Sequence, residues 1–210
     1  MNNYLNEIQS KGYLILNQND LIKDELLKKN ISEIFHNVKL KKQFDRARIN
    51  HNVVKINDNF EFEKHKQDQL KNDKFFQIWK YAHIENIDYP IIKKYLQKIV
   101  KKIYEVDIEE HSTEYTCFEK GCSIVPHIDK NYTSKNRICV ILSYFNDNWK
   151  EEYGGCLVIN NKEVVIPNQG TIVVLDFTKN NVLHEVTEVV EDKNRFCLTT
   201  FVDYKNYNDN

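Results

Sequence analysis

From residue 112 to residue 204 the chain breaks into short strand-like runs separated by turn chemistry, and this patterning constrains the fold most. Strands are expected near 112–118, 123–129, 137–145, 156–159, 163–166, 171–177, 182–190 and 195–204, each rich in β-branched or aromatic residues. Gly154 and Gly155 mark one tight passage, and Pro167, Asn168, Gln169 and Gly170 another, because these residue types supply the backbone angles of turns. About eight such strands make a double-sheet jelly roll, the cupin-like barrel whose mouth can hold a metal.

The residues ahead of that region are patterned differently. Residues 4–11 read as a short helix and 12–17 as a strand. Asp20 is placed to cap a helix that carries Leu27, Ile31, Ile34 and Phe35 on one face. Lys39, Lys41, Lys42, Arg46 and Arg48 form a basic patch, read as a solvated face. Residues 50–73 are polar and mixed in charge, as a loop or lid over a site would be. Helices are expected over 74–82, around Phe75, Phe76, Ile78 and Trp79, and over 90–106. The second opens on Pro90 and carries Ile92, Tyr95, Leu96, Ile99, Ile103 and Val106 on one stripe. The expectation is one α+β domain over 1–210: residues 1–110 mainly helical support and lid, and 111–210 a double-stranded β-helix core buttressed by the N-terminal helices.

Two stretches of the strand region carry chemistry. In Val125, Pro126, His127, Ile128 and Asp129, an extended backbone would put His127 and Asp129 on one face and Ile128 in the opposite layer. His184, between Leu183 and Glu185, could add a second imidazole from another strand. Two nitrogens and one carboxylate oxygen on one face leave coordination positions open, as a non-haem Fe(II) oxygenase requires. Arg195 is a fixed cation able to fork onto a carboxylate. His83, Ile84 and Glu85 form a decoy, set aside because helical patterning would keep its first and third residues off one face.

At these residues the chain resembles the Fe(II)/2-oxoglutarate-dependent dioxygenases, and most closely their prolyl-hydroxylase branch. The likeness runs through Phe118 to Gly121, Pro126 to Asp129, Arg137 to Asp147, Tyr153 to Gly155, Pro167 to Gly170, His184 to Val186 and Arg195 to Thr200. It implies that His127, Asp129 and His184 hold Fe(II), that Arg195 and Tyr144 bind the far carboxylate of 2-oxoglutarate, and that Thr199 adds a hydroxyl nearby. It also implies O2 as co-substrate, ascorbate as an optional reductant, release of succinate and CO2, and hydroxylation of an aliphatic carbon of an amino acid, free or in a peptide or protein. Phe118 stands where this branch often carries a second co-substrate tyrosine, for which Tyr115 could substitute only in a different register. Cys197 stands where relatives often carry a hydroxyl. A carboxylate at Asp129 counts against a halogenase, and the absence of a second arginine after Arg195 counts against the nucleic-acid demethylases. A metal- or dicarboxylate-binding jelly roll without turnover is the alternative, and a cupin-like metalloenzyme using no 2-oxoacid is a third reading.

Composition narrows the partners. Thirty basic side chains against thirty-one acidic ones give a net charge of −1, which argues against nucleic acid as an obligatory partner. No stretch has the apolar length of a membrane span. The N-terminus has neither the basic start nor the apolar run of a leader. Five cysteines in no metal-finger spacing suit a reducing, cytoplasmic setting. Substrate choice is expected to lie with loops 45–75, 130–136 and 147–153 at the barrel mouth.

Overall fold

The computed structural model describes residues 3–40, 45–49, 77–85, 87–108, 110–129, 137–178 and 182–203. Its helices are α1 (Asn3–Lys11), α2 (Gln18–Leu21), α3 (Glu25–Lys39) and α4 (Tyr89–Tyr104). The strands are β1 (Tyr13–Asn17), β2 (Asp45–Ile49), β3 (Gln77–His83), β4 (Glu110–Phe118), β5 (Ile124–His127) and β6 (Arg137–Tyr144). They continue with β7 (Leu157–Ile159), β8 (Glu163–Val165), β9 (Thr171–Asp176), β10 (His184–Val186) and β11 (Arg195–Asp203). A seven-stranded sheet runs β1-β9-β6-β11-β4-β3-β2, and a four-stranded sheet runs β5-β10-β7-β8. The double-stranded β-helix expected of the second half is present, with helices on one side.

Alternation along the strands of the large sheet builds two cores at once. On β6, Ile141 joins the helix-side core while Val140 and Tyr144 join the core between the sheets. On β9, Ile172 and Val174 face the helices and Val173 and Leu175 the other sheet. On β11, Leu198 and Val202 alternate with Cys197 in the same way. Successive side chains of a strand point to opposite faces, so one sheet serves both layers. The helix side is closed by α4, whose Ile92, Tyr95, Leu96, Ile99 and Ile103 recur every three or four residues and are fully buried. Burying each of those side chains contributes up to about 1.5–3 kcal/mol.

Three local expectations change. The segment expected as a helix over 74–82 is β3 from Gln77 to His83, paired with β4 from Lys80↔Cys117 to His83↔Glu114. Aromatic and β-branched residues suit either state, and a vacant β4 edge decides for the strand. Helical patterning therefore cannot be what sets the decoy aside; Glu85 simply falls beyond the strand end at His83. Asp20 lies inside α2; α3 is capped instead by Asp24, whose Oδ1 accepts from the Leu27 N–H at 3.0 Å. Asp24 also meets Lys94 of α4 at 3.0 Å, joining the two helices. The expected lid at 50–73 and the loop 130–136 lie outside the described residues. Within the basic patch, Lys39 pairs with Asp147 at 3.3 Å.

Candidate active site

Strand pairing brings the two histidines together. His184 and His127 are direct partners across β10 and β5, so their side chains rise from one face with ring centroids 4.2 Å apart. Pro126 fits beside them because β5 is an edge strand, where a missing N–H interrupts no inner ladder. The strand stops at His127, so Asp129 reaches the same face from the turn beyond it rather than from the pleat. Asp129 Oδ1 lies 3.3 Å from His127 Nε2, and its Oδ2 lies 3.4 Å from His184 Nε2. The ligating atoms of the three residues all fall within 4.8 Å of one another, and they form the one such group of three among the described residues.

The hydrogen bonds behind the rings fix their protonation. His127 Nδ1 donates to the Val125 carbonyl at 2.8 Å and His184 Nδ1 to the Val182 carbonyl at 3.1 Å. A carbonyl can only accept, so each Nδ1 carries a proton and each Nε2 is left for the shared side. Two bare Nε2 lone pairs facing two carboxylate oxygens would repel. The arrangement needs positive charge between them, from a proton or a metal. The titration behaviour agrees. Burial pulls the His184 imidazole down, but Asp129 outweighs it and raises its pKa above the ordinary 6.5. Burial pushes the Asp129 carboxyl up, yet the two imidazoles hold it far below the usual carboxylate range. This donor set fits Fe(II), and these three residues would hold it.

The second half of the site is a buried cation. Arg195 opens β11, is 2% exposed, and donates from Nε to the Gly155 carbonyl at 2.6 Å. Its guanidinium is flanked by the rings of Phe118 and Tyr144, each centroid 5.0 Å away. No side-chain carboxylate among the described residues pairs with it. Tyr144 is fully buried and its hydroxyl has no hydrogen-bond partner among them. Burial raises that phenol well above its ordinary range, with Arg195 pulling the other way. An unpaired buried cation beside an unsatisfied buried hydroxyl fits an anionic ligand such as the far carboxylate of 2-oxoglutarate.

Arg195 and Tyr144 are thus brought together, and Thr199 is not. Thr199 shares the face of Arg195 but lies beyond Cys197, and its hydroxyl meets Thr116 Oγ1 at 3.4 Å and Cys197 Sγ at 3.8 Å. Phe118 is the direct cross-strand partner of Arg195 and lends only a ring. Tyr115 does not replace the missing tyrosine: it pairs with Leu198 on the other face and packs edge-on against Phe35 at 5.4 Å. Cys197 is buried opposite Tyr144, and burial, eased by Arg195, pushes its thiol up to about 11. Two groups carry no role in the sequence reading yet hold Arg195: Gly155 through its carbonyl, and Asn146 through the backbone of Phe196.

Fold and site together give a double-stranded β-helix whose three clustered side chains form the donor set used by non-haem Fe(II) oxygenases. Residues 112–203, a little under half of the chain, match the family model of the 2OG-Fe(II) oxygenase superfamily. No curated protein matches the chain in sequence. Among solved structures it is similar to a Pseudomonas putida prolyl-4-hydroxylase, with 14% identity, TM-score 0.62 and coverage of 96% of this chain and 97% of that one. A Trichoplax adhaerens prolyl hydroxylase in complex with a hypoxia inducible factor peptide fragment gives 17% identity and TM-score 0.62, covering 95% and 87%. The viral collagen prolyl hydroxylase of Paramecium Bursaria Chlorella virus-1 gives 12% identity and TM-score 0.52, covering 93% and 97%. At those identities the likeness carries the fold. The superfamily works with Fe(II), 2-oxoglutarate and O2. No helix among the described residues is long and apolar enough to cross a membrane.

Proposed function

We propose that this protein is an Fe(II)- and 2-oxoglutarate-dependent oxygenase that hydroxylates an aliphatic carbon of an amino acid, free or within a peptide or protein, while 2-oxoglutarate is converted to succinate and CO2. The observation that carries the reading is the pairing of a three-ligand face with a buried guanidinium that has no counter-ion among the described residues. Fe(II) held at that face supplies the activation of O2 coupled to oxidative decarboxylation of the 2-oxoacid. The chain's own residues bind and orient. His127, Asp129 and His184 present ligands from one side, and the carbonyls of Val125 and Val182 keep both rings in the ligating tautomer. Arg195 and Tyr144 receive the far carboxylate, and the rings beside them keep water from it. A peptidyl substrate is supported by the peptide that the Trichoplax protein of similar fold holds. A reducing, cytoplasmic setting is supported by five buried cysteines that form no disulfide.

The test is to add Fe(II) and 2-oxoglutarate to purified apoprotein, first anaerobically and then in air. The chelate's visible absorption and the released succinate are followed against a panel of amino acids and peptides. A visible band that is absent in His127→Ala, with succinate rising on addition of one substrate class, supports the proposal. A wild-type protein giving neither band nor succinate sinks it.

A further inference from the structure

We propose that Asn146 is a positioning residue, which together with Trp149 and the Gly154–Gly155 passage fixes Arg195 before any ligand arrives. Asn146 is buried and its amide is fully used. Its Oδ1 accepts from the Phe196 N–H at 2.7 Å, and its Nδ2 donates to the carbonyls of Phe196 at 2.9 Å and Pro167 at 2.8 Å. One side chain therefore holds both backbone groups of the residue next to Arg195, at a point where the β11–β6 ladder has yet to begin. Its own carbonyl accepts from the Gln169 N–H at 2.8 Å, tying in the turn after β8.

The same turn reaches the side chain of Arg195 by a second route. Asn168 Oδ1 accepts from the Trp149 N–H at 2.7 Å, and Trp149 Nε1 donates to the Gly154 carbonyl at 2.8 Å. The next carbonyl, of Gly155, accepts Arg195 Nε. Both glycines sit at positive φ, 67° and 65°. A Cβ at Gly154 would lie 1.8 Å from the Glu188 carbonyl oxygen, and one at Gly155 would lie 2.9 Å from Arg195 Cδ. The passage is closed to larger residues, by the Glu188 backbone at Gly154 and by the arginine stem and Val189 at Gly155. Asn146 holds the main chain at Phe196, next to the cation, and Gly155 holds its head, and the 167–170 turn links the two. A guanidinium already aimed loses little freedom when a carboxylate binds.

The proposal deepens the co-substrate reading of Arg195, and its test separates the two. In metal-free protein, the 1H–15N resonance of Arg195 Nε–H reports the bond to Gly155. It is expected sharp and slow to exchange in wild type, and shifted or broadened in Asn146→Ala. Trp149→Phe keeps a ring but severs the second route, is the milder change, and is expected to shift the same resonance less. An unmoved resonance in folded Asn146→Ala overturns the proposal. Should that variant not fold, an unmoved resonance in Trp149→Phe overturns it. In the Fe(II) form, 2-oxoglutarate is compared with pyruvate, which chelates metal but has no far carboxylate. Asn146→Ala is expected to weaken 2-oxoglutarate about tenfold and leave pyruvate unchanged. Equal loss of both ligands means general disruption and overturns positioning. A wild type with the sharp resonance but no affinity for 2-oxoglutarate sinks the co-substrate reading and leaves the positioning intact.

Discussion

The two ends of the site solve opposite electrostatic problems. At the metal end, one carboxylate faces two imidazoles, and a proton shared among them can keep the set balanced until a cation displaces it. At the arginine end, a full charge is buried beside a phenol with no hydrogen-bond partner among the described residues, and none of their carboxylates pairs with it. The first end holds charges of both signs, and the second is a cation that no carboxylate of the described residues answers. An assembled pocket of this kind gains more from its anion than from its cation, because only the anion removes a standing penalty.

Removing a ligand from the metal end has the largest expected effect. Asp129→Ala leaves two imidazoles with no carboxylate. Metal affinity, read by titration with Mn(II), falls by more than about 100-fold, beyond what losing an outer partner does, and succinate formation stops. A variant that kept wild-type affinity would show that the three residues do not act as one donor set.

Arg195→Met breaks the other end. Affinity for 2-oxoglutarate is expected to fall about 30- to 100-fold while Mn(II) affinity is unchanged. Thermal denaturation of the ligand-free variant should show stability kept or gained, since an uncompensated buried charge has been removed. A strongly destabilised apoprotein would mean that the cation is paired after all.

Tyr144→Phe sharpens the contrast. Its hydroxyl is unpartnered without ligand and is available to a charged acceptor with it. Loss of the hydroxyl should cost about tenfold in 2-oxoglutarate affinity and nothing in apoprotein stability. Calorimetric titration and a melting curve separate the two outcomes.

Acidity gives the smallest effect and acts on the metal end alone. The pKa of His184 is raised, so below that value the proton on Nε2 must leave before a metal binds. Mn(II) affinity should therefore rise with pH, by no more than about tenfold per unit, and level off above the ordinary imidazole value of 6.5. Titrations across that range, with proton uptake or release measured alongside, test it. A flat profile would mean that the pair is unprotonated in the metal-free form.

How much of this was legible in the residues depended on range. The histidine, carboxylate and arginine set could be read because strand alternation and donor chemistry are local properties. Asp129 reaches the face from a turn because β5 ends one residue after Pro126, a boundary that pairing with β10 decides. Thr199 shows the limit of counting: an even spacing from Arg195 fixes the face but not the distance, and Cys197 stands between them. The strand at Gln77–His83 was hidden because its partners β4 and β2, both distant along the chain, select it over a helix. Asn146 was unreadable for the same reason, since its worth lies in bonds to Pro167 and Phe196.

The alternation of β11 has a consequence for how this protein can change over generations. Arg195 and Cys197 line the site, while Leu198 and Val202 belong to the helix-side core. Substitutions at the first set can retune the pocket while leaving the scaffold alone. A single-residue deletion within 195–203 would invert the strand, sending the cation toward the helices and a leucine into the pocket. Sequence drift is thus free to explore side chains in this strand but has almost no freedom in its length.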